Sequence, residues 1–312
     1  MLKKILGALI LLAVIVIAVF AWMLRPADTS EIEARYMTGD DRYAEAAGQR
    51  WRVRETGPED APAIVLIHGF SHSLESFDGW AAELDGDHRV IRFDLPGHAL
   101  SAPREDGAYT VDDTVGQVAA LLNEIAPPRF VIGGNSLGGL VAWRYAAERP
   151  ERVAALVLVS PGGFPNLGVG DEPAAVPGAV EAYLRFAPRP GVAQATAALY
   201  GDASRLDDAR IDRIADLMKT EGTAQALIDR VGVFTLPDPE PDLARIEAPA
   251  LILWGGRDAM IPSAHAARFE AAMPDARALV YPGLGHMAME EDPETTARDL
   301  RAFLDEVSGR DG

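Results

Sequence analysis

The stretch Val131-Ile132-Gly133-Gly134-Asn135-Ser136-Leu137-Gly138-Gly139-Leu140 sets one hydroxyl among four glycines. Gly134 and Gly138 stand two residues before and two after Ser136, the G-x-S-x-G spacing of a strand-to-helix turn too sharp for larger side chains at those places. Such a turn lifts the serine oxygen clear of the sheet. An apolar run at 130–132 supplies the strand, and Leu137, Val141, Trp143, Tyr145 and Ala146 supply a helix. A serine hydroxyl is a poor nucleophile unless a base removes its proton, so the turn carries chemistry only if a histidine and an orienting acid meet it.

Working outward, short β-branched apolar runs bounded by Gly, Pro and Asp recur at 63–67, 89–93, 153–159, 250–254 and 278–281. Helical segments fall between them, at 111–125, 137–149, 263–273 and 293–307. This alternation predicts an α/β sheet covered by helices on both faces. A first strand is expected near 51–55, with the polar stretch 26–49 as a linker leading into it. The alternation breaks between 161 and 243, a Pro, Gly and Ala-rich stretch with helical pieces at 180–186, 192–200 and 209–219 and no convincing strand. A helical insertion there lies at the carboxyl ends of the strands, where ligands bind in open α/β sheets, and reads as a cap.

Composition sets outer limits. The chain has 312 residues and a net charge of -18, with no basic stripe to neutralise phosphates, so nucleic acid is not an expected partner. Cysteine is absent, which removes thiolate nucleophiles and Cys-type zinc sites. The N-terminus is a separate physical object: residues 5–24 carry no charge and are long enough as a helix to cross a hydrocarbon core of about 30 Å. Lys3 and Lys4 precede the run, while Asp28, Glu31 and Glu33 follow it beside Arg25 and Arg35. The expected topology is a retained transmembrane helix with the main body outside the cytoplasm, periplasmic in a bacterium.

Of six histidines, His286 lies directly after the last predicted strand, in a loop at its carboxyl end from which a base could reach Ser136. His68, His88 and His98 precede the serine and read as structural, and His265 falls on a predicted surface helix. Asp258 stands just past the carboxyl end of the run at 250–254. The chain order Ser136, Asp258, His286 is nucleophile, acid, base, whereas the competing carboxylates Asp94 and Asp112 lie before the nucleophile. Attack on a carbonyl needs preorganised donors for the developing oxyanion. The Leu137 amide at the helix start is one, and the Phe70 amide, in the loop after the run at 63–67, is the other; Gly69 lets that backbone approach closely.

His68-Gly69-Phe70, Asp94-Leu95-Pro96-Gly97-His98, Gly134-Asn135-Ser136-Leu137-Gly138-Gly139, Trp254-Gly255-Gly256-Arg257-Asp258 and Gly285-His286 together resemble the landmarks of an α/β-hydrolase, over about residues 51–304. The resemblance implies an eight-stranded, mostly parallel sheet with a helical cap after the sixth strand, and neither metal nor organic cofactor. On this reading the anchor is 1–25, the linker 26–49, the core 50–160 and 244–312, and the cap 161–243. A serine at 136 argues against the branches whose nucleophile is a carboxylate. The anchor, His-Gly-Phe-Ser and Asp-Leu-Pro-Gly-His resemble membrane-anchored monoacylglycerol lipase-like esterases, which implies an apolar or lipid-like ester. Gly-Asn-Ser-x-Gly-Gly and Ser160-Pro161-Gly162-Gly163 resemble instead the hydrolases of carbon-carbon bonds in ring-fission products, but the places where that branch usually has His-Gly-x-Gly-Pro-Gly and a Trp hold Phe70-Ser71-His72 and Met287 here. Asn135, His72 and Met287 are expected to bind substrate.

Overall fold

The computed structural model describes residues 28–166 and 168–310. The expected anchor at 1–25 lies outside the described residues. Among the described residues no helix is long and apolar enough to cross a membrane.

Eight strands form one sheet: β1 (Asp41–Ala46), β2 (Gln49–Thr56), β3 (Ala63–Ile67), β4 (Arg89–Phe93), β5 (Phe130–Asn135), β6 (Val153–Val159), β7 (Ala250–Gly255) and β8 (Ala276–Tyr281). Their order is β1-β2-β4-β3-β5-β6-β7-β8. β2 pairs antiparallel with β1 and with β4, and every other pairing is parallel. From β3 the chain winds first to β4 on one side and then to β5 on the other. That reversal opens a crevice outside the carboxyl ends of β3 and β5, the place where open α/β sheets take ligands. β3, β5 and β7 are buried along their whole length, as strands covered on both faces must be.

Before the cap the helices are α1 (Thr29–Tyr36), α2 (Asp78–Leu84), α3 (Val111–Ile125) and α4 (Leu137–Glu148). α3 starts with a capping box, Thr110 and Asp113 each satisfying the other's backbone amide. Between β6 and β7 come α5 (Gly178–Phe186), α6 (Arg189–Ala197), α7 (Asp208–Leu217), α8 (Thr223–Val233) and the short α9 (Glu240–Leu243). α5 to α8 share a small core of Leu184, Val192, Ile211, Ile214, Met218 and Leu227. The cap is tied to the sheet domain by Thr220 Oγ1, which donates to the Ala99 carbonyl at 2.5 Å. The chain closes with α10 (Ala264–Ala272), α11 (Ala288–Glu291) and α12 (Pro293–Arg310).

The segment 26–49 departs from the expected linker. It holds α1 and β1, and β1 extends the sheet by pairing along its whole length with β2. β1 escapes an apolar pattern because it is an edge strand with a largely wet face and is held by charge: Asp41 accepts from Arg52 Nε at 2.8 Å and from Arg54 Nη2 at 2.7 Å.

Candidate active site

Ser136 sits between β5 and α4 with φ 54° and ψ -115°, a conformation that a residue with a side chain adopts only under strain. Its surroundings impose it. The Ser136 amide donates to the Val159 carbonyl at 3.1 Å, and the Ser136 carbonyl accepts from the Leu140 and Gly162 amides, both at 2.9 Å. The flanking glycines are required by contact: a Cβ on Gly138 would stand 2.0 Å from the Ile67 carbonyl oxygen, and one on Gly134 would stand 2.4 Å from the Gly138 carbonyl carbon.

Asp258 and His286 meet at the ends of β7 and β8. Asp258 Oδ2 accepts from His286 Nδ1 at 2.8 Å, and Asp258 Oδ1 accepts from the Met260 and Ile261 amides at 2.8 and 2.9 Å. Burial alone would push the Asp258 carboxyl up, but the His286 imidazole and those two amides outweigh it and hold the group below the usual carboxylate range. With Nδ1 engaged, Nε2 is the nitrogen left to exchange a proton. The Ser136 hydroxyl makes no hydrogen bond among the described residues, to His286 or to any other group. The two loops are nonetheless joined next door: Asn135 Nδ2 donates to the His286 carbonyl and to the Val159 carbonyl, each at 3.1 Å.

Ser136, Phe70 and Leu137 line one cavity of about 460 Å³ under the cap. Leu137 is the first residue of α4, so its amide has no intrahelical acceptor. The Phe70 amide likewise has no acceptor among the described residues. The loop that presents Phe70 is stapled by His68, whose Nδ1 donates to the Gly69 carbonyl at 2.8 Å and whose Nε2 accepts from the Leu95 amide at 2.8 Å. That pair of bonds demands a neutral imidazole. Burial pulls the His68 pKa down to about 3, in agreement. The His98 ring packs edge-on against His68 and Phe70 with centroids at 5.2 and 5.9 Å.

A family model for the alpha/beta hydrolase fold matches residues 62–293. The chain belongs to the α/β-hydrolase family. It is similar to the dihydrolipoyllysine-residue acetyltransferase component of the acetoin cleaving system of Pseudomonas putida, 32% identical over 264 residues that make up 84% of this chain and 68% of that one. Lipase 3 of Moraxella sp. (strain TA144) is 25% identical over 282 residues, 83% of this chain and 82% of that one. Among solved structures, a membrane phospholipase A described as a bacterial virulence factor superposes with a TM-score of 0.74 at 25% identity, covering 99% of each chain. The CarC serine hydrolase of carbazole degradation gives 0.73 at 26% identity, covering 85% of this chain and 98% of that one.

Within this α/β-hydrolase the three residues expected to bind substrate are placed elsewhere. Asn135 is fully buried and its amide is spent on two backbone carbonyls, so it positions the loops. Met287 is 1% exposed, inside an apolar cluster with Trp80, Met289 and Leu300. His72 Nδ1 bonds the Phe70 carbonyl at 3.0 Å, and the ring faces a separate recess with His98, Leu217 and Met218. His265 is also not a surface residue. It is buried with its ring against Phe164 and Trp254, at 5.5 and 6.3 Å between centroids. The competing carboxylates lead away from His286: Asp94 accepts from the Leu74 amide at 2.8 Å and faces Arg52, and Asp112 pairs with Arg144 at 2.6 Å on the surface.

Two residues that sequence reasoning passed over belong to the site. Arg230 of α8 lines the cavity. Glu291 of α11 holds the loop before His286: its Oε2 accepts from the Gly285 amide at 2.7 Å and the Gly201 amide at 2.9 Å, and its Oε1 accepts from the Asp202 amide at 2.8 Å. The Leu199 carbonyl completes the junction by accepting from the His286 amide at 2.7 Å. A Glu five residues beyond the histidine was the available signal; its cap partners Gly201 and Asp202, 90 and 89 positions away, were not.

Proposed function

We propose that the protein is a serine hydrolase of carboxylic esters with apolar acyl or alkyl groups. Ser136 Oγ attacks the carbonyl carbon while His286 Nε2 takes its proton, and Asp258 holds the imidazole in the required tautomer. The Phe70 and Leu137 amides stabilise the oxyanion. Collapse breaks the bond to the alcohol, which leaves with the proton from His286. Water, deprotonated in turn by His286, attacks the acyl-enzyme and releases the acid. The serine hydroxyl closes on Nε2 in the substrate complex, since catalytic hydrogen bonds are commonly long before substrate binds. The observation that carries the reading is a strained serine opening on an apolar cavity between two amides without acceptors, with the Asp258–His286 pair bonded through Asn135 to the same turn. The likeness to Lipase 3 and to the membrane phospholipase A supports an apolar or lipid-like ester.

The carbon-carbon reading is less favoured, since that branch's usual His-Gly-x-Gly-Pro-Gly loop and Trp are replaced here by Phe70-Ser71-His72 and a buried Met287. The acetyltransferase name of the Pseudomonas putida relative makes transfer of the acyl group to an acceptor other than water a second fate for the acyl-enzyme. We also infer that the uncharged run at 5–24 anchors the chain with its main body outside the cytoplasm. The test is labelling by a fluorophosphonate in the full chain and in Ser136→Ala, beside p-nitrophenyl esters of graded acyl length and a vinylogous diketone. Labelling that depends on Ser136 and turnover of the esters is the expected result. Turnover of the diketone alone would replace the ester reading, and product analysis with added alcohol would reveal transfer. Loss of membrane association on removing residues 1–25 tests the anchor.

A further inference from the structure

The cavity beside Ser136 is mostly apolar, with Ser136, Asn166 and Arg230 as its polar side chains among the described residues, and Asn166 Nδ2 is spent on the Met260 carbonyl at 2.8 Å. Arg230 is the only ionisable residue among those lining it, beside Phe70, Phe164, Val231 and Phe234. It is 2% exposed. Its Nη1 donates to Thr114 Oγ1 at 2.7 Å, its Nη2 donates to the Pro96 carbonyl at 3.2 Å, and its guanidinium lies 5.0 Å from the Tyr109 ring centroid. All three partners are neutral. Nε has no partner at all, and no carboxylate lies within ion-pair distance among the described residues. Burial lowers the Arg230 pKa to about 10, which leaves the group charged at neutral pH.

This chain treats a structural buried arginine differently. Arg52, equally buried, is met by three carboxylates, from Asp41, Glu75 and Asp94, and Arg92 is met by Asp78. A buried cation left with neutral partners is unfavourable until a counter-charge arrives. We propose that Arg230 makes this cavity a site for an amphiphilic substrate whose apolar chain fills the lining and whose far end is a singly charged oxyanion, a carboxylate or a phosphodiester. One cation with no second cation beside it matches one negative charge, and a guanidinium edge presents paired N–H donors to such a group. The proposal deepens the ester-hydrolase reading by naming the class of ester, one that carries an acidic group at a distance from the scissile bond.

Binding is tested apart from turnover. Calorimetry on the full chain carrying Ser136→Ala compares octanoate and methyl octyl phosphate with uncharged octanamide. At least one acid is expected to bind ten or more times tighter than the amide, and the tighter acid names the source of the charge. The preference is expected to collapse when Arg230→Met is added. Binding of both acids within threefold of the amide, or a preference that survives Arg230→Met, overturns the proposal. If the double variant does not fold, the comparison on Ser136→Ala alone decides. On the active enzyme, the ratio of kcat/KM for a p-nitrophenyl half-ester of a dicarboxylic acid to that for the chain-matched neutral ester is expected to fall at least tenfold in Arg230→Met. A protein that turns over no ester but binds the acid through Arg230 would sink the hydrolase reading and leave this one standing.

Discussion

Replacing Glu291 separates the hold on the proposed base, His286, from that residue itself. The carboxylate accepts three backbone amides, from Gly201 and Asp202 of the cap and from Gly285 beside His286. A hydrogen bond to a charged group contributes roughly 1.5–3 kcal/mol, and the contributions of three bonds to one carboxylate do not add in full. Glu291→Ala is therefore expected to lower the unfolding free energy by about 4 kcal/mol, at the upper end of what one substitution does and survivable within a total of roughly 5–15 kcal/mol. Glu291→Gln keeps one acceptor oxygen. Placed at Oε2, that oxygen retains Gly201 and Gly285 but turns an N–H against the Asp202 amide, so about 2 kcal/mol is expected. The kinetic effect is ordered the same way. Displacement of His286 by about 1 Å costs on the order of 100-fold in rate, and Glu291 does not line the cavity, so kcat falls and KM holds. Urea unfolding together with kcat and KM on a p-nitrophenyl ester reads both. A Glu291→Ala enzyme that has lost its stability and kept its kcat would refute the claim that this carboxylate positions the base.

Three further outcomes are expected. Asp258→Asn leaves His286 without its acceptor and favours the wrong tautomer, so kcat on a neutral ester should fall by about 10⁴. Ser136→Gly should abolish turnover yet raise the urea midpoint, because glycine adopts φ 54° and ψ -115° freely and releases about 1 kcal/mol of strain. Acidification should weaken the fold below pH 6.5. The buried His68 stays neutral down to about pH 3 while its unfolded counterpart takes a proton at 6.5, so its contribution is whole above 6.5 and is lost as pH falls toward 3, by about 1.4 kcal/mol per unit. His98, held well below its ordinary value by burial, acts in the same direction, and Asp94, raised to about 6 chiefly by burial, opposes both between about pH 6 and 4. Urea midpoints that do not fall between pH 7.5 and 5.5 would exclude two neutral buried imidazoles.

The features legible in the sequence are those in which local pattern and burial coincide. β3 and β6 are short apolar runs because both faces of the sheet are covered. The turn at Ser136 is legible because backbone approaches of 2.0 to 2.4 Å to a would-be Cβ leave room only for glycine. The Asp258–His286 pair follows from chain order together with the place of each residue just past a strand's carboxyl end. The misses are residues whose role is fixed by a partner far along the chain. β1 is held largely by arginines of the next strand, with only Ala44 and Ala46 reaching the apolar core. His265 is made a core residue by Phe164, about a hundred positions earlier. Asn135 and Met287 are neighbours of proposed catalytic residues, yet the backbone turns each toward the interior. Proximity in sequence to a reacting group does not place a side chain in the cavity.

The same distinction bears on how the cap communicates with the site. Asn135 and Glu291 make their contacts to main-chain groups only: the carbonyls of Val159 and His286 for one, the amides of Gly201, Asp202 and Gly285 for the other. The Leu199 carbonyl that accepts from the His286 amide is main chain as well. The cap's hydrogen bonds to the His286 amide and to the Glu291 carboxylate thus depend on the backbone path at 199–202, while its side chains brace the adjoining α11, where Tyr200 Oη donates to Glu290 Oε2 at 2.6 Å. Gly201 enforces that path, since a Cβ there would stand 2.3 Å from the Gly283 carbonyl oxygen. The side chains that line the cavity, Val180, Arg230 and Phe234 among them, make none of these bonds. Under the proposed function, substitutions at Arg230 or Phe234 are expected to change substrate preference with His286 left in place, whereas Gly201→Ala, which does not line the cavity, is expected to lower kcat with KM unchanged.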